Sequence, residues 1–240
     1  MASFALRLRR WHRWHALAMS LIVLMAAGSG LLHTWMGMTQ LPPPPPVPES
    51  PLDLAAVRIA PAELPALVGS PIQSASLRRI AGGPWWQVAL AAGGMAYVDA
   101  ISGHSATDAD QRYAGEIASR HAGGAPVRHV RHLAAFDREY GPIFRVLPVH
   151  RFDLDDAHGT RVYVSTRTGT VTRLTDDRRQ READLFSLLH KWSFIAHKPT
   201  RDAALLIAMG GIILLALSGL ILFLITRRGS RPGPPPAPAA

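Results

Sequence analysis

Cysteine is absent from the 240 residues. That excludes a disulfide scaffold, a thiol nucleophile, and thiolate-bound zinc or iron–sulfur clusters. Lysine is nearly absent as well: only Lys191 and Lys198 occur among 26 basic residues. So lopsided a ratio reads mainly as codon bias, and no single arginine is taken as chosen for its guanidinium. Acidic residues are missing from both ends. Residues 1–15 carry four arginines, residues 226–240 carry three, and neither segment holds an acid, so +7 of the net +9 lies in two short tails. A basic nucleic-acid-binding domain would carry its charge on the folded part, so no nucleic-acid partner is expected.

The usual chemical signatures are missing too. Gly82-Gly83 and Gly123-Gly124 read as turns, without the spacing or the lysine of a nucleotide loop. No HExxH occurs, and Ser102 in ISGHS lacks the first glycine of a nucleophile elbow. Asp153, Asp155 and Asp156 lack the further oxygen ligands of a calcium loop and read as a solvated hairpin tip. His129 and His132, three apart in VRHVRHL, could share a helical face; a surface pair beside Arg128 and Arg131 is the plainer reading. No catalytic residue and no dedicated metal site is expected, and the chain reads as non-enzymatic.

What the chain does have is two long apolar runs. Ala203–Ile225 contains no charge over 23 residues. As a helix that is about 34 Å, against a hydrocarbon core of about 30 Å. Ala16–Leu32 is uncharged and reaches a full span if the helix continues to Met36. Trp11, Trp14 and Trp35 flank it as an interfacial belt would. A cleaved signal peptide is the rival reading of this first run, with its basic start and small residues at Ala26–Gly30. Basic tails place both termini in the cytoplasm, and residues 37–202 outside it. Lipids of a bacterial inner membrane are the expected surroundings, with residues 37–202 periplasmic. Ala26 and Gly30 on one helix, and Gly210, Gly211, Ser218 and Gly219 on the other, are the expected close-approach positions.

Between the runs the sequence reads as an α+β domain. The expected division is a basic tail at 1–15, a span at 16–36, a proline-rich spacer at 37–52, and a first unit at 53–124. A second unit follows at 125–182, then an interfacial helix at 183–198, a span at 199–225, and a disordered tail at 226–240. The spacer's PPPPPVPESP cannot form helix or supply sheet donors. In the first unit, turn chemistry separates strands at 75–80 and 85–90. A third strand covers 94–100, and 108–121 reads as a helix with Tyr113, Ala114, Ile117 and Ala118 inward. In the second, 126–139 reads as a helix or irregular lead-in, followed by strands at 144–154, 159–165 and 170–174. Both carry one signature: Tyr97-Val98 with Gly103, and Tyr163-Val164 with Gly169, which suggests duplication. Leu185, Leu188, Leu189, Trp192 and Ile195 form the stripe of the interfacial helix.

Four tokens resemble one family. They are Trp11-His12-Arg13-Trp14, Leu147-Pro148-Val149-His150-Arg151-Phe152, Val162-Tyr163-Val164 with Gly169, and Leu189-His190-Lys191-Trp192 before Ser218-Gly219-Leu220. In order and spacing they resemble the PepSY-associated transmembrane family in its short two-span form. The resemblance implies two spans flanking a periplasmic domain of two PepSY-like units, each an antiparallel sheet with a helix. It implies a binding or regulatory module with a periplasmic or inner-membrane protein partner, or a homo-oligomer. The family's strand usually ends in aspartate; here Asp99 keeps it and Ser165 does not. Larger relatives are linked to iron uptake, which leaves a haem- or metal-linked accessory as one alternative and a structural subunit as another. For the first alternative the candidate ligands are His33, His190 and His197, beside the spans on the outer side; His190 and His197 would share a face on a continuous helix. No cofactor is otherwise expected.

Overall fold

The computed structural model describes residues 2–39 and 45–227. It is an α+β protein with a long apolar helix toward each end and two antiparallel sheets between. The chain divides into a helical unit, residues 1–40 with 181–240, and a sheet unit, residues 41–180. Residues 40–44 and 228–240, which hold part of the expected spacer and most of the expected C-terminal tail, lie outside the described residues.

The helical unit pairs α1 (Ala2–Thr39) with α5 (Lys198–Arg227), and both are long and apolar enough to cross a membrane. The expected basic tail is not separate: it is the first part of α1. The covered positions of α1 include residues 12, 15, 19, 22, 26 and 29; those of α5 include 201, 204, 208, 211, 215, 218 and 222. Steps of three and four are the seam of a left-handed helix pair. Gly211 and Gly219 provide the close approach. A Cβ at Gly211 would stand 2.7 Å from Met19 Sδ, and one at Gly219 would stand 3.2 Å from His12 Cε1. Gly30 and Gly210, also expected at the contact, face open space instead, because the seam passes one residue away from each.

α4 (Asp177–Lys191) starts six residues before the expected interfacial helix and stops short of its end. Trp192 has φ +50°, which takes the chain out of helix. Trp192 and Ile195 therefore leave the stripe, and His190 and His197 do not share a helix.

In the sheet unit, β1 (Ile72–Ile80), β2 (Gly83–Leu90) and β3 (Met95–Asp99) form a meander. A second meander holds β4 (Val127–Leu133), β5 (Val149–Leu154), β6 (Arg161–Ser165) and β7 (Thr170–Thr175). The residues expected as a helix or lead-in at 126–139 thus supply an edge strand, because pairing with β5 satisfies the backbone; Val127, His129 and Leu133 are its covered positions. Helix α3 (Ala109–His121) lies between the sheets. Its Ala109, Tyr113, Ala114, Ile117 and Ala118 pack against Ile80, Trp85 and Tyr97 of the first sheet and Phe152, Val162 and Val164 of the second. One core therefore crosses the expected unit boundary at 124/125. The outer faces are covered separately: α2 (Leu64–Val68) packs its Leu64 on Val88 and Val98, and Tyr140 packs on Val149 and Tyr163.

The repeated signature is a repeated local structure. Gly103 and Gly169 have φ +77° and +67°, and their N–H groups donate to Asp99 and Ser165 carbonyls at 2.9 Å in both cases. Val98 then bridges Ser105, and Val164 pairs with Val171, seven residues on each time. The relation to α3 differs. Tyr97 faces it, whereas Tyr163 faces the opposite core. Asp99 has a structural task, accepting the Ile101 and Ser102 N–H groups in its turn. The far end of the proline-rich segment is docked rather than free: Val47 N–H donates to the Arg120 carbonyl, and Glu49 pairs with Arg120 at 2.7 Å.

Candidate functional site

A polar chain runs through the apolar core of the sheet unit. It starts at Gln87 on β2, which is almost wholly buried. Gln87 Oε1 accepts from Arg78 Nε at 3.0 Å, and its Nε2 donates to the Tyr97 hydroxyl and the Thr166 carbonyl, both at 2.8 Å. Tyr97 donates to Asp110 Oδ1 at 2.5 Å. Asp110 Oδ2 accepts from His150 Nε2 at 2.6 Å, and His150 Nδ1 lies 3.2 Å from His129 Nε2. The His132 ring leans on His150 with centroids 4.7 Å apart. The chain thus links the first sheet, α3 and the second sheet.

A β-bulge makes the histidine cluster. Strict alternation would send His129 and His132 to opposite faces. Between His129 and Arg131 the register slips by one residue, so His129 pairs with Phe152 and His132 with His150. Bulges re-aim side chains in this way. Phe152 and His150, two apart on β5, share a face, and the bulge brings both β4 histidines to it. The i,i+3 spacing was visible in the sequence; its partner His150, eighteen residues on, was not, nor was Asp110.

Burial by itself raises the Asp110 carboxyl. Hydrogen bonds from His150, Tyr97 and Thr166, with the His150 charge, outweigh it and hold the group at about 2. Burial, then the neighbouring carboxylate, pushes Tyr97 up, so its phenol stays protonated. His129 and His132 are both pushed down, first by burial and then by the His150 charge. The two effects have one sign in stability. Asp110 binds its proton less readily folded than unfolded, where a carboxyl titrates near 3.8. Its contribution is present above about pH 4 and lost as pH falls toward 2. The depressed histidines favour the neutral form, so their loss starts as pH falls below their ordinary 6.5. Thermal stability of the sheet unit is expected to fall in two stages on acidification, and Asp110→Asn is expected to remove the lower one, worth about 2 kcal/mol. A variant whose stability keeps the wild-type slope below pH 4 would contradict this.

A cleft of about 430 Å³ opens beside the cluster. Leu90, Met95 and Pro148 give it apolar walls, and Asp110, His132 and Arg167 its polar groups. Pockets for small ligands begin at about 300 Å³.

The helical unit has its own polar contacts. His12 Nδ1 lies 2.6 Å from Ser218 Oγ, His15 Nε2 donates to the Gly211 carbonyl at 2.8 Å, and Ser29 Oγ lies 3.1 Å from His190 Nδ1. The pairing sets residue 12 opposite 218 and residue 19 opposite 211, so the C-terminal half of α5 runs beside the arginine-bearing start of α1. Of the histidines expected to act together, His190 stacks on Phe186 at 4.8 Å and His33 lies tilted against the same ring at 5.2 Å. His197 is separate and bonds Thr200 at 2.8 Å. Phe186 thus touches both of the first two imidazoles, and among the described residues no three ligating side chains stand around one place.

No protein-family model, curated protein or solved structure matches the chain.

Proposed function

We propose that the chain is a bilayer-anchored, non-enzymatic module. Its sheet unit lies on the periplasmic side of a bacterial inner membrane and binds a peptide segment of a protein partner in the cleft beside His132. The observation that carries the reading is the cleft itself, with apolar walls and a few polar groups, set on a domain bounded by two helices able to span. The chemistry around it supports binding rather than turnover. Tyr97 is held protonated and its hydroxyl is committed to Asp110, so the hydroxyl nearest the Asp–His pair is no nucleophile. The basic ends support the orientation with both termini inside. The resemblance of the four short motifs to PepSY-associated membrane proteins supports the same class of function.

The test places a photo-activated cross-linking residue at Met95 or Arg167, on the cleft, and at Glu63 away from it, in cells carrying alkaline-phosphatase fusions at residues 60, 180 and 232. Active fusions at 60 and 180, an inactive one at 232, and a discrete protein adduct from the cleft positions only are expected. Equal adducts from position 63, or none from the cleft, would overturn the binding reading; an inactive fusion at 60 would overturn the orientation.

A further inference from the structure

The bulge on β4 brings three imidazoles together beside a carboxylate, and the proposed binding role makes no use of His129 or His150. We infer that His129 and His150 form a divalent transition-metal site of the Zn²⁺ or Cu²⁺ class, with Asp110 orienting His150 and His132 poised as a third ligand.

The spacing fits. His129 Nε2 and His150 Nδ1 lie 3.2 Å apart. Two nitrogens each about 2.0–2.1 Å from one metal at a tetrahedral angle would be about 3.3–3.4 Å apart. The metal would lie to one side of the N–N line, and each ring would tilt by about 35° to aim its lone pair at it, with the nitrogens staying where they are.

The protons also fit. Asp110 Oδ2 accepts from His150 Nε2, so the neutral form of His150 carries its proton there and presents a lone pair at Nδ1. His129 then donates from Nε2; binding requires its proton to move to Nδ1, a change of tautomer with no net loss of charge. A carboxylate on the far nitrogen of a ligating imidazole is the usual means of fixing ring and tautomer, and it raises the ring's basicity. Tyr97 steadies Asp110 from the other side.

Among the described residues no three such side chains stand ready around one ion, so the preformed site is a pair. His132 supplies what the pair lacks. It is exposed, it leans on His150, and it lines the cleft, so a rotation about its own side-chain bonds turns it toward the pair. The cleft leaves a remaining position to water. The site is separate from His33 and His190, and it does not depend on the cleft's peptide ligand.

The test uses the full chain in detergent, stripped with chelator and titrated with Zn²⁺ or Cu²⁺ alone at pH 7.5. One saturable equivalent is expected, its affinity weakened at least tenfold by His129→Ala and less by His132→Ala. His129 is half-exposed and makes one side-chain hydrogen bond, so its replacement leaves the fold intact; His104→Ala serves as the control and should bind as wild type. With Cu²⁺, the electron paramagnetic resonance spectrum should show imidazole nitrogen couplings that His129→Ala reduces. No saturable binding, or binding that His129→Ala leaves unchanged, would overturn the proposal.

Discussion

Phe152→Ala is expected to destabilise both sheets together, by about 3–5 kcal/mol. Phe152 stands on β5 of the second sheet and is nearly fully buried. Its ring meets α3 at Gly115, where a Cβ would be 3.4 Å from Cε1. The same helix presents Tyr113 and Ile117 to a core that includes Trp85 and Tyr97 of the first sheet. Removing the ring leaves a cavity beside α3 that neither sheet can fill alone, because both rest on that helix. Hydrogen exchange read by peptide mass should therefore show β2 and β6 losing protection by a similar factor. Two independent units would behave otherwise: β6 would open and β2 would keep its wild-type protection. That second pattern would refute the shared core.

Two neighbouring glycines in α5 give the second large contrast. Gly211→Leu puts a side chain where Met19 Sδ already stands, 2.7 Å from the new Cβ. Overpacking of this kind costs about 1–3 kcal/mol. It also pushes His15 away from the Gly211 carbonyl it bonds. Gly210→Leu adds the same side chain where nothing lies within 4 Å. Because the chain has no cysteine, a pair introduced at positions 12 and 218 reports the contact without background. Oxidative cross-linking of that pair should fall about tenfold with Gly211→Leu, the change that about 1.4 kcal/mol produces, and stay at the control level with Gly210→Leu. Equal yields in the two backgrounds would show that the helices do not pair along this seam.

Local pattern is what the sequence makes legible. The two apolar runs are long and uncharged, so they read as spans without any partner being known. The inward face of α3 is readable because its small and apolar residues recur at helical spacing. The paired Tyr-Val motifs with a later glycine are readable because each turn needs a residue with positive φ at the same place. Where a local signal is ambiguous, the reading fails in a physical way. Val127–Leu133 has helix-like spacing of two histidines, yet it forms an edge strand, since pairing with β5 satisfies its backbone and a bulge absorbs the odd residue. Trp192 looked like the next step of a helical stripe until its positive φ ended the helix.

The sequence by itself determined the two long apolar helices, the α+β character of what lies between, and the absence of thiol chemistry. Each follows from periodicity or composition within a window of about twenty residues, which neighbouring side chains and backbone sterics control. Only the tertiary structure decided that α3 serves both sheets, that Gly211 rather than Gly210 meets α1, and that Asp110, His129, His132 and His150 share one place. Those outcomes depend on which faces meet across long separations and on a one-residue slip in strand register. Such choices are made by the packing of the whole core, and no stretch of sequence carries them alone.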